Sequence, residues 1–64
     1  MKLYIYENES MELSAIINAE DNAQCEAVAN EQYGDTDLYG WTYSPAFGFD
    51  DGVIENADAE EIDA

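Results

Sequence analysis

Sixty-four residues make one domain, and sixteen Asp and Glu against a single Lys, with no Arg and no His, give it a formal charge of -15. A domain this small buries only about 60% of the surface its unfolded chain exposes, so no large internal cavity is expected. The charge argues against direct nucleic-acid binding and against anionic lipid, both of which call for Lys and Arg.

The composition still favours folding over disorder, because 47% of the residues are hydrophobic and five Tyr, two Phe and one Trp are available for a core. Residues 2–6, KLYIY, alternate Leu3 and Ile5 with Tyr4 and Tyr6, the period-2 pattern of a strand with two distinct faces. Residues 7–10 are polar and form a connection. MELSAII follows, with Leu13, Ala15 and Ile17 expected on one face of a second strand, antiparallel to the first.

Residues 19–34 carry no Pro and no internal Gly, are rich in Ala, and end in Gly34, a residue suited to a left-handed helix cap. Asp21 is the expected N-cap with Gln24 three positions on, and Asn18 competes with it. Cys25, Val28, Ala29 and Gln32 or Tyr33 then form an inward stripe of mostly small residues. Tyr39, Trp41 and Tyr43 alternate with Gly40 and Thr42 in a third strand ended by Ser44-Pro45, its aromatics packing under the helix. Residues 47–49 and 53–54 are expected to form a short hairpin around Asp51-Gly52, and residues 56–64 a frayed acidic tail beyond a domain spanning 1–55. The fold class is α+β: a small antiparallel sheet of three to four strands with one helix on one face, ββαβ or ββαββ.

The chemistry-bearing residues are few. With no His and its one Cys on the inward stripe, the chain has only paired carboxylates to offer as acid and base, and it is too small for a substrate cleft, so no enzyme activity or cofactor is expected. A single thiol makes no disulfide and no structural zinc site, which suits a reducing compartment. There is no basic segment leading into an apolar run and no membrane span, so the expected location is the cytoplasm, that of the host cell if the chain is phage-encoded. Residues 35–46 begin as an EF-hand loop would, with Asp35, Asp37 and Gly40, but Tyr39 and Ala46 stand where ligands are needed. Asp50, Asp51 and Glu55 offer at most a weak surface cation site.

The carboxylates carry most of the information. Acidic, Lys-poor composition also suits high salt, yet a salt-adapted chain would be expected to keep Arg for ion pairs. With almost no internal neutralisation, the field points outward and is available to a basic partner. Glu7 with Glu9, and Asp35 with Asp37, are two apart on extended segments, a spacing of ~6.6 Å. That is of the same order as the ~3.4 Å charge spacing along one DNA strand.

In size, charge and α+β pattern the chain resembles the small acidic DNA-mimic inhibitors of phages and mobile elements, the anti-CRISPR and anti-restriction proteins. The resemblance implies an inhibitor that occupies the positively charged nucleic-acid groove of a CRISPR effector or restriction enzyme and blocks DNA binding. The expected contact residues are Glu7, Glu9, Glu26, Glu31, Asp35, Asp37, Asp50 and Asp51, with Tyr4 and Tyr6 as an exposed pair rimmed by acid, on a monomer or weak homodimer. The alternative expectation is a small acidic adaptor for a basic protein with no nucleic-acid function.

Overall fold

A computed structural model describes residues 1–64. Two strands, β1 (Lys2–Glu7) and β2 (Leu13–Asn18), form an antiparallel hairpin. The helix α1 (Asn22–Gln32) follows, then β3 (Tyr39–Thr42) and β4 (Glu60–Asp63). The sheet order is β3-β1-β2-β4. Element order is therefore ββαββ and the class α+β, as the sequence pattern predicts, but the sheet is mixed, because β4 runs parallel to β2.

Leu3 and Ile5 face the helix and are fully buried with Ala15, Ile17, Cys25 and Ala29; Ala19, Val28, Tyr33, Tyr39, Trp41 and Ile62 pack around this cluster. Burial of each large aliphatic side chain here is worth about 1.5–3 kcal/mol. Cys25 and Ala29, four apart, present the small surface that lets α1 approach the sheet closely.

Asp21 caps the helix, its carboxylate accepting from the Gln24 N–H at 2.9 Å. The Gln24 amide oxygen accepts in turn from the Glu20 N–H at 3.1 Å, one residue earlier than a capping box would place it. At the other end Tyr33, with φ of −133°, is the cap, and Gly34 is not left-handed. The Tyr33 N–H bonds the Ala29 carbonyl at 2.7 Å, which satisfies the last turn without a glycine cap.

Two further corrections concern the strands. The β1–β2 register slips between Ile5 and Tyr6: Ile5 opposes Ala15, but Tyr6 opposes Leu13. The extra residue, Ser14, is a β-bulge, and it moves Leu13 off the face shared by Ala15 and Ile17 onto that of Tyr6. Leu13 is accordingly buried outside the helix-side cluster, as is Val53.

The fourth strand is not at 47–54, where the chain makes turns and a single bridge from Ile54 to Glu12. It lies in the segment expected to fray. Ile62 stands opposite Ile17 in the register and packs on the core, and the Ala64 N–H bonds the Asn18 carbonyl at 2.8 Å. The physical reason is the edge of β2, which would otherwise expose its backbone groups beside an apolar core. Since β3 and β4 run parallel at opposite edges, the chain between them must cross the sheet, and after Tyr43 it does so over the face away from α1, where Phe47 meets Tyr4 and Asn56 bonds Leu13. No helix is long and apolar enough to cross a membrane.

Candidate partner-binding surface

The sheet directions sort the charges. Glu7 ends β1 opposite Tyr39, so the β1–β2 turn and the loop from α1 to β3 lie together at one end of the sheet. Asn8 joins them: its N–H donates to the Leu38 carbonyl at 2.9 Å, and its side-chain amide donates to the carbonyls of Thr36 at 3.0 Å and Asp37 at 3.3 Å. Four of the expected contact residues, Glu7, Glu9, Asp35 and Asp37, are thereby held in neighbouring turns. Glu7, Glu9 and Asp37 line a shallow depression of about 170 Å³ with Leu38 and Tyr39.

Local bonds fix two of these carboxylates further. The Asp35 carboxylate accepts the Asp37 N–H at 3.0 Å, a side-chain turn that sets the loop. Glu7 accepts from the Ser10 hydroxyl at 2.9 Å, and that hydroxyl accepts the Glu12 N–H at 3.2 Å. Lys2 and the amino terminus sit at the far end of β1, where the terminal ammonium donates to the Ala19 carbonyl at 2.8 Å. The chain's few positive charges thus lie away from this group of acids.

The remaining expected residues are elsewhere. Glu26, on α1, accepts a hydrogen bond from the Tyr43 hydroxyl at 2.8 Å. Desolvation against the helix, then this bond and the charge of Glu26, push the Tyr43 phenol up to about 12. Glu31 is exposed in the last turn of α1. Asp50 and Asp51 are exposed on the crossover, on the opposite face of the sheet.

Tyr4 and Tyr6 are not the exposed pair expected. Both are half-buried: Tyr4 meets Phe47 edge-to-face at 5.6 Å, and the Tyr6 ring lies over Gly40. The crossover covers this face, which alternation within β1 alone does not reveal. Tyr39 and Trp41 do pack under the helix, Tyr39 against Tyr33 at 5.0 Å and 87°. The Tyr33 hydroxyl donates to Glu60 at 3.1 Å, and burial first, then this bond, raise its pKa.

No group of three or more His, Cys, Asp or Glu is arranged to hold a metal ion. The placements of two residues were not legible. Asn8 reads as an ordinary turn residue, since its partners are about thirty positions away. Phe49 reads as a strand residue, yet it is 74% exposed. The comparisons add no relative: no family model matches the chain, and no curated protein or solved structure matches it.

Proposed function

We propose that the chain is an inhibitor acting by occupancy: its fixed carboxylates compete with DNA for a Lys and Arg-lined groove of a bacterial defence protein, a CRISPR effector or a restriction enzyme. The observation that carries this reading is the end of the sheet where Asn8 holds the turns bearing Glu7, Glu9, Asp35 and Asp37 together, with Lys2 and the amino terminus at the opposite end of β1. Carboxylates placed by short turns lose little entropy on pairing with guanidinium or ammonium groups, and a net charge of -15 steers a basic partner towards them. No chemical step is required. Lys and Arg that neutralise DNA phosphates would neutralise these carboxylates instead.

The test is a competition titration. A guide-loaded, cleavage-inactive CRISPR effector and a restriction endonuclease are each given labelled duplex DNA carrying their recognition sequence, and the chain is added. Displacement of DNA from one of them, weakening steeply as salt rises, is the expected result. A chain that binds such a protein while the DNA stays bound is an adaptor, and a chain that binds neither has some other role; either result overturns the reading.

A further inference from the structure

A domain with nine buried residues has little apolar surface to spare, yet Phe49 is 74% exposed and Ile54 54% exposed. They are neighbours. Both line one open depression with Met11, Asp50 and Asp51, and a second with Val53 and Glu55. An exposed patch of large apolar side chains rimmed by charge is the usual mark of an interaction site.

The segment that presents Phe49 is tightly built. Its N–H donates to the Ala46 carbonyl at 3.2 Å, and its carbonyl accepts the Gly52 N–H at 3.0 Å. The Val53 N–H bonds the Pro45 carbonyl at 2.8 Å, and the buried Val53 side chain anchors the loop. Ile54 is tied to the β1–β2 turn through Met11 at 2.8 Å and to β2 through Leu13 at 2.9 Å. Gly52 is pressed so closely on Ala46 that a Cβ there would collide with its carbonyl oxygen. Backbone bonds on both sides of Phe49 therefore hold the ring outward, ready to enter a partner at low entropic cost.

We infer that Phe49 and Ile54 form an apolar anchor for a protein partner that offers an apolar stripe flanked by Lys and Arg, met by Asp50, Asp51 and Glu55. The charge selects the occupant. A second copy of this chain would set its own carboxylates against the same rim, with -15 on each side, whereas a basic flank pairs with it. The inference rests on the reading that the partner is a basic protein, and adds that carboxylates are joined by a desolvated aromatic, the residue class that dominates interface energetics.

The experiment uses two synthetic helical peptides of equal positive charge. One has a Leu stripe flanked by Lys, and the other has Ser in place of Leu. Binding is measured by calorimetry with the full chain, Phe49→Ser, and Asp50→Asn/Asp51→Asn. The wild type should prefer the Leu peptide by at least about 30-fold, the scale of a strong anchor. Phe49→Ser, which leaves the melting curve unchanged because the ring is exposed, should abolish the preference; the double Asn variant should weaken both peptides and keep it. Equal binding of the two peptides, or a preference that survives Phe49→Ser, overturns the inference. So does a wild-type dimer in light scattering that Phe49→Ser dissolves, since the patch would then hold a second copy. No nucleic acid enters the assay, so its outcome is independent of the competition titration.

Discussion

Tyr6 fills the space that Gly40 leaves: the two are cross-strand partners, and a Cβ built on Gly40 would lie 2.6 Å from the Tyr6 ring and hydroxyl. An aromatic laid over a strand glycine offsets the packing that the glycine lacks. Gly40→Ala should push the ring away and destabilise the domain by about 1–3 kcal/mol, and Tyr6→Leu combined with it should recover part of that loss. Thermal melts of the two single variants and the double variant decide the matter. An unchanged melt for Gly40→Ala means that the ring has free room to move.

The C-terminal segment gives the second prediction. Its acids invite the idea of a solvated tail, but Ile62 packs on the core beside Ile17, and Glu60 takes the Tyr33 hydroxyl bond. Ile62→Ala should lower stability by about 1–2 kcal/mol, the low end for a side chain that is only half-buried. In a domain of this size each kcal/mol shifts Tm by about 4–8 °C. A chain ending at Ala59 loses the β2–β4 ladder as well and should melt lower still. If it melts with the full chain, β4 contributes no stability.

These two cases show where sequence reasoning reached and where it stopped. β1, β2, α1 and β3 were legible because each carries a local signal: the Leu3/Ile5 alternation, the Asp21 cap with Cys25 and Ala29 behind it, and the Tyr39/Trp41 alternation. β4 has one apolar residue among acids, and its partner β2 lies more than forty positions away, so no local pattern marks it. The bulge at Ser14 inverts the placement of Leu13 for the same reason, since a register is a property of two strands. Of the expected contact residues, Glu7, Glu9, Asp35 and Asp37 were brought together by Asn8. Tyr4 and Tyr6 were taken up by the crossover, whose path over the sheet follows from β4 and could not be seen without it.

Alkaline pH provides a third check. The Tyr43 phenol rises from the ordinary tyrosine value of 10.0 to about 12 in the folded chain. A pKa raised by folding stabilises fully below the unfolded value and ceases to do so as pH rises through the folded one. Stability should therefore fall between pH 10 and about 12, with Tyr33 acting in the same direction. In Tyr43→Phe the slope across that window should be shallower, and the difference in phenolate absorbance between the two proteins should titrate near pH 12. A difference that titrates at the ordinary tyrosine value would mean that Tyr43 does not donate to Glu26.

The acid cluster yields the last prediction, in which stability and binding move in opposite directions. Asp35 and Asp37 follow the C-terminal end of α1, where the helix carries partial negative charge, and they share a corner with Glu7 and Glu9. The chain's one Lys, Lys2, lies at the far end of β1. Asp37→Asn is the clean probe, because the loop's side-chain turn uses the Asp37 N–H and the Asp35 carboxylate, and both survive the change. Removing one of several mutually repelling charges should raise Tm by roughly 1–4 °C at low ionic strength, an increase that shrinks once the Debye length falls to ~8 Å at physiological salt. The same variant should compete less well with DNA in the titration above, through faster dissociation, as expected when one member of a direct charge pair is lost. Asp35→Lys with Asp37→Lys should abolish competition while the chain remains folded. Glu61→Gln, an exposed position on β4 away from this corner, is the control for long-range steering, and it should leave dissociation nearly unchanged. A variant that gains stability and competes as well as the wild type would remove this corner from the interface.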